Sequence, residues 1–515
     1  MDDWAAGYVS DVEYGSGFYV AQAPEMANLV SLIRGYRPRD LQRGYTFCEL
    51  GCGSGSTLSV LAAGDARGRF LGVDFNPAHI AAGLELGTAA GLDNLMFSDA
   101  SFGELLEAPD QIPDFDVISL HGVYSWVAPE VKRQVVEFLD KKLKPGGIVY
   151  ISYNSLPGWL NCMPLQRLLR EFGRRLPGTS IEQARGGLAL LERLSDVKSA
   201  AVQDDNPFLN NIRKASQIHR GSYIAHEYMN SHWQPLYFRE VAEDLSAARL
   251  KYVGSLNIFD NYPDMCFSEE QRQAIDSMPD PIMRETVADY CQVKLLRRDI
   301  FVRGPRRAED SVAARMLSEQ WMAMITDPDK VSLTVKPPRG EAQLNPDTYG
   351  PLLEALADGP KPIGLLCDIS ASKGGNRVAP VEVAGVLTAC GWAVPIGPNL
   401  GTPDPQRAGR YNAAVARHVR DAMTFERLAF AVPSFRGGIP IDGFDALMMA
   451  EWLDGAHEPQ DIADRVWALV EARDENIVKD GEALTDPEAR NNHLLERADR
   501  FLNGVLRRLS LGGAL

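Results

Sequence analysis

The run Phe47-Cys48-Glu49-Leu50-Gly51-Cys52-Gly53-Ser54-Gly55 is where residue type and spacing first specify chemistry in this chain of 515 residues. Glycines at the turn from a first strand into a helix let backbone N–H groups approach a ligand at the carboxyl edge of a sheet. A dinucleotide-binding turn has glycines at positions one, three and six, but counting from Gly51 this chain has Gly53 third, Gly55 fifth and Ser56 sixth. The spacing points to a nucleotide-type cofactor and away from NAD.

Three carboxylates narrow the choice. Glu49, just before the glycines, can hold the ammonium of a methionine moiety. Asp74, with Phe75 after it, ends the second expected strand, where a carboxylate accepts hydrogen bonds from both hydroxyls of a ribose. Asp99 and Ala100 follow the third, where a carboxylate accepts from an adenine amino group and backbone N–H groups meet the ring. Any one of these acids is ordinarily a solvated strand end. Together, beside this loop and ahead of Lys144-Pro145-Gly146-Gly147, they describe a site for S-adenosylmethionine.

The reacting edge falls at the end of the fourth strand, His121-Gly122-Val123-Tyr124-Ser125-Trp126-Val127, and at a second aromatic loop, Ser152-Tyr153-Asn154-Ser155-Leu156-Pro157-Gly158-Trp159. Rings at Tyr124, Trp126, Tyr153 or Trp159 would attract a sulfonium and an alkylammonium through cation–π contact. His121 and Tyr124 are candidates to accept or relay a proton, with His121 also lining the cofactor site through its backbone. Asn154 joins them at the second loop. His226-Glu227-Tyr228-Met229-Asn230-Ser231-His232 superficially looks like a zinc motif, but its histidines are six apart where a helix needs four. Seven scattered cysteines without paired knuckles read as reduced core thiols, and no metal is expected.

At these blocks the chain resembles bacterial methyltransferases with an appended regulatory domain, including the rickettsial lysine methyltransferases that modify outer-membrane proteins. The resemblance rests on Glu49 to Gly55, on His121 to Val127, on Ser152-Tyr153-Asn154 with Pro157-Gly158-Trp159, and on Tyr223-Ile224-Ala225-His226-Glu227-Tyr228-Met229-Asn230. It implies a protein-lysine acceptor. The alternative is a small-molecule O- or N-methyltransferase whose extra domains dimerise it and close the pocket. A third reading, a cofactor sensor without activity, fits poorly with an intact glycine loop, Asp74 and Asp99.

To position these residues, strands are expected at Tyr45 to Leu50, Arg69 to Asp74, Asn94 to Ser98, Asp116 to Leu120 and Gly147 to Tyr153. Helices are expected at Ala23 to Gly35, Pro77 to Ala90 and Pro129 to Leu143. That alternation is a doubly wound α/β sheet, a Rossmann-like class I methyltransferase domain over residues 1–160. Tyr8, Tyr14, Phe18 and Tyr19 are placed to form a lid. Residues 161–303 read as a helical regulatory or dimerisation domain without further buried strands. Residues 304–400 read as a winged-helix-like domain, with Val381 to Cys390 as its third helix and Gly391-Trp392-Ala393-Val394-Pro395 in the wing. Residues 401–515 read as a C-terminal helical domain. The third helix of the winged segment carries no Lys or Arg, which suits protein contact or packing rather than DNA.

A formal charge of −16 with no dense basic run argues against nucleic acid as a partner. No apolar run approaches a membrane span and the N-terminus has no apolar leader, so no membrane insertion and a cytoplasmic location are expected. A homodimer acting on a protein with exposed lysines is the expected assembly and partner.

Overall fold

The computed structural model describes residues 11, 17–202, 206–218, 222–372, 377–399, 404–422, 428–479 and 482–515. Strands β1 (Tyr45–Leu50), β2 (Gly68–Val73), β3 (Leu95–Ser98), β4 (Phe115–Leu120) and β5 (Leu143–Asn154) lie in a single sheet. Every residue of β4 is buried, as a strand covered on both faces requires. These five strands run parallel in the order β3-β2-β1-β4-β5, so the strand order reverses between β1 and β4. Ligands bind in the crevice that such a reversal opens.

The expectation of no buried strands between Pro164 and Arg303 is corrected. β6 (Leu250–Ser255) and β7 (Leu296–Arg303) extend the sheet beyond β5, with β7 antiparallel to both of its neighbours. In β7 the apolar pattern is broken by buried charge rather than by solvent exposure. Arg297 on β7 is only 1% exposed, and it donates to Asp299 at 2.7 Å, Asp289 at 2.6 Å and Glu285 at 3.0 Å. Its guanidinium also lies over the Phe238 ring, 4.3 Å from the centroid. A strand whose core position is filled by a paired arginine reads as polar in sequence.

One face of the sheet packs on Val135, Phe138 and Leu139 of the helix Pro129–Lys142 and on Phe238, Val241 and Leu245. The other face shares a core with the C-terminal residues, including Phe430, Leu447 and Met448. Helix Ser56–Gly64, which starts from the glycine loop, is locked there: a side chain at Gly64 would collide with the Gly437 backbone. Residues from Leu165 to Met229 form a separate core, and a third gathers Leu317 to Ala393 around Leu29 and Leu32.

The winged-helix-like segment also differs in part. Its three helices, Pro346–Ala357, Ile363–Ser372 and Pro380–Ala389, occur in the expected order. Ala393–Pro395 forms no hairpin wing, however; it pairs antiparallel with Trp321–Met324, which also pairs with Lys361–Pro362. The partner strand lies far upstream, where local reading does not look for it. The third helix is buried along much of its length, and Tyr262 occupies the space a side chain at Gly385 would need. Among the described residues, no helix is long and apolar enough to cross a membrane.

Candidate active site

A cavity of about 470 Å³ opens at the crevice between β1 and β4, within the range of cofactor-sized pockets, about 300–1,000 Å³. Of the residues expected at the site, Glu49, Gly51, Gly53, Asp74, Phe75, His121, Trp126 and Asn154 line it.

The glycine loop and Asp74 are one unit. Gly51, Gly53 and Gly55 all have left-handed backbone, at φ 74°, 56° and 70°. The Gly51 and Cys52 N–H groups both donate to the Val73 carbonyl, at 2.7 and 3.0 Å. A side chain at Gly51 would strike Val123, and one at Gly55 would strike Phe97. At Gly53 the same position meets nothing within 4 Å, so this glycine faces the open cavity. Its N–H donates to Asp74 Oδ2 at 2.8 Å, while Asp74 Oδ1 accepts from the Asn76 N–H at 3.0 Å. Gly55 does not line the cavity; it caps helix Ser56–Gly64.

Glu49 is 4% exposed, and its Oε2 has no hydrogen-bond partner among the described residues. Burial pushes its carboxyl up to about 8, Asp74 nearby adding to the shift. A buried carboxylate oxygen without a donor suits an ammonium, so Glu49 and Gly53 both fit the methionine end of S-adenosylmethionine. The stability consequence follows from the sign. The folded pKa lies above the usual 4.5, so the group's contribution to stability is full below that value and is lost as pH rises through about 8. Without cofactor, Glu49→Gln is therefore expected to be more stable than the parent above pH 8, by a few kcal/mol as an order of magnitude. With saturating S-adenosylmethionine the ranking should reverse. Melting curves with and without cofactor at two pH values check this, and identical pH slopes in both proteins would refute it.

Asp99 and Ala100 are displaced from their expected role. Asp99 is exposed and neither residue lines the cavity, while Ser101 and Phe102 do. The Ala100 N–H is taken by Ser98 Oγ at 3.2 Å, and Ser101 caps the short helix Phe102–Glu107, which turns the chain toward the cavity only after Asp99.

His121 lines the cavity with Nδ1 2.7 Å from the Tyr150 hydroxyl, its ring 3.9 Å from that of Tyr19. Tyr19 and the buried Phe18 belong to the expected lid; Tyr8 and Tyr14 lie outside the described residues.

Tyr124 and Tyr153 are corrected. Both are fully buried in the core beneath the sheet and neither lines the cavity. The Tyr124 hydroxyl donates to Asp244 at 2.8 Å and the Tyr153 hydroxyl to Asp299 at 2.7 Å, and burial raises both phenols well above their ordinary range. Successive residues of a strand point to opposite faces, so Asn154 reaches the cavity and Tyr153 cannot. Trp159, which does line it, is held by donating from Nε1 to the Leu295 carbonyl at 2.7 Å.

His79, His226, Glu227, Leu295 and Leu296 line this cavity in addition to the residues expected from sequence. The signal for Glu227 is its place, beside His226, in the block Tyr223 to Asn230 that carries the family resemblance. Glu227 is 9% exposed, and burial pushes its carboxyl up to about 7, the Asn154 side chain opposing the shift.

Residues 48–149 match the model of a methyltransferase domain, and residues 220–303 match that of a predicted methyltransferase regulatory domain. The chain is 31% identical over 501 residues to an uncharacterized protein of Synechocystis, covering 97% of each. It is 30% identical over 220 residues to an uncharacterized protein of Rickettsia prowazekii, covering 43% of this chain and 86% of that one. Its fold is that of PKMT2 from Rickettsia typhi, solved in complex with AdoHcy, at a TM-score of 0.69 and 20% identity over 97% of this chain and 99% of that one. With its glycine loop at the strand-order reversal and its sheet completed by β6 and β7, the chain belongs to the family of S-adenosylmethionine-dependent methyltransferases that carry a methyltransferase regulatory domain.

Proposed function

We propose that this methyltransferase acts on the side-chain amine of lysine in a protein. One observation carries the reading: three buried carboxylates, Glu49, Asp74 and Glu227, line the cavity, and among the described residues no lysine or arginine does. A buried acid is ordinarily paired. This cavity therefore has a chemical demand for cations in its ligands.

S-adenosylmethionine supplies a methyl group on a cationic sulfonium. Glu49 and the Gly53 face hold its amino-acid end and Asp74 its ribose. Glu227 lies away from the glycine loop in sequence and is left for the second substrate, which an alkylammonium satisfies with both a charge and a hydrogen bond and a neutral hydroxyl with a hydrogen bond alone. Trp126 and Trp159, lining the same cavity, add cation–π attraction and exclude water. The net charge of −16 favours encounter with a lysine-bearing polypeptide.

Incubation with tritiated S-adenosylmethionine and a bacterial lysate tests the proposal. Label is expected in protein bands and should vanish when lysines are blocked beforehand. Label confined to the low-mass fraction would instead establish a small-molecule acceptor.

A further inference from the structure

We propose that Glu227 is the base that takes the proton from the acceptor amine, and that Asn154 positions its carboxylate. This rests on the amine-acceptor reading above and assigns the proton step to a residue that lies outside the methyltransferase domain.

A lysine side chain has an ordinary pKa of about 10.4 and offers no lone pair while protonated. A methyltransferase acting on it therefore needs a group in contact with the ammonium that can receive a proton. The candidates are the titratable groups around the cavity: Tyr19, Glu49, Cys52, Asp74, His79, His121, His226 and Glu227. Burial pushes the Cys52 thiol well above its ordinary range. Glu49 and Asp74 belong to the glycine loop and its cofactor, and His79 Nδ1 faces the Asp74 carboxylate at 3.2 Å. His121 holds the Tyr150 hydroxyl at Nδ1 and lies against Tyr19.

Apart from His226, which shares its helix, Glu227 differs from these in its surroundings. It sits near the end of helix Ser222–Tyr228, shares the cavity with Trp159, Leu295 and Leu296, and has no arginine or lysine beside it there. Asn154, 3% exposed, ends β5 next to it, and no other described residue takes up its Nδ2. Kept dry, that amide acts on the Glu227 carboxyl and favours its ionised form, opposing the effect of burial. Burial sets the Glu227 carboxyl at about 7, close to working pH, where a general base is most effective. The same dry surroundings disfavour the charged form of the entering amine.

In the step, one proton moves from the acceptor ammonium to the Glu227 carboxylate, leaving a neutral amine. The nitrogen lone pair forms the bond to the methyl carbon as the carbon–sulfur bond breaks and its electron pair stays on sulfur. The products are a methylated ammonium and a neutral thioether. Glu227 then releases its proton to solvent, and the site is reset.

The test uses the full chain, lysate proteins as mixed acceptors and tritiated S-adenosylmethionine. Glu227→Gln, which keeps the side chain's shape, should bind S-adenosylmethionine in calorimetry as the parent does and label lysines at least 100-fold more slowly. The parent's rate should fall below about pH 7 along an acid limb, and the residual rate of Glu227→Gln should lack that limb. Asn154→Ala should shift the limb to higher pH, because the amide no longer favours the ionised acid. Undiminished labelling by Glu227→Gln, or an unmoved limb, overturns the assignment while leaving the lysine reading intact. Loss of cofactor affinity in Glu227→Gln overturns it too, by placing Glu227 in the cofactor subsite. A parent chain that labels no lysine overturns both.

Discussion

Exchanging Asp74 for alanine is expected to weaken S-adenosylmethionine binding by about 100-fold, the largest effect of any single side chain at the site. The carboxylate does two things at once. It accepts from the N–H groups of Gly53 and Asn76, which fixes the glycine loop against β2, and it is placed to accept from the ribose. Truncation leaves both N–H groups without an acceptor, at about 1–3 kcal/mol for each one that stays buried, before the ribose contact is counted. Some of that loss falls on the loop's order in the unliganded protein, so asparagine, which keeps one oxygen, should fall between the two. Calorimetric affinities for the three proteins check the ranking. An alanine variant that binds as the parent does would mean that the ribose lies elsewhere.

The second large effect is on stability. Arg297→Met keeps much of the side chain's volume but leaves buried Asp299 without its cation and Asp289 with only Lys294, 3.5 Å away, while Glu285 lies half-buried beside them. Breaking a buried ion pair from one side costs about 3–5 kcal/mol, and denaturant unfolding at neutral pH should show a loss of that size. The loss should shrink in acid. Burial already holds the Asp289 carboxyl at about 6 and raises that of Asp299, and without Arg297 both would protonate more readily still. A loss below about 1 kcal/mol at neutral pH would show that the network contributes little beyond packing. Adding Asp299→Leu to Arg297→Met should restore part of the stability, since an apolar pair has no charge left to strand.

The five parallel strands could be read from sequence because each is a short apolar run bounded by turn residues, and in the central strands β1 and β4 burial on both faces removes the need for alternation. β7 could not, because Arg297 and Asp299 occupy core positions and neutralise one another only in three dimensions. The site divides along the same line. Glu49, Gly53 and Asp74 are fixed by their place at strand ends, which sequence order alone specifies. Tyr124 and Tyr153 were over-read because an aromatic near a strand end signals proximity without saying which face it takes. Asn154, one residue on, lines the cavity and Tyr153 lies in the core. Glu227 was under-read for the opposite reason: its neighbourhood is assembled from β5, from the loop at Trp159 and from Leu295, all remote from it along the chain.

The pairing of β7 with β5 also governs how the protein can be made and divided. β5 ends at Asn154, but along the edge facing away from β4 seven of its residues, Ile148 to Asn154, pair only with Leu296 to Val302. During synthesis the catalytic sheet leaves the ribosome with a raw edge that stays open until the regulatory region has followed it out. An open edge of that length invites pairing with other chains. Recombination or proteolysis that separated the two regions would recreate it permanently, so the two regions here are inherited as one piece.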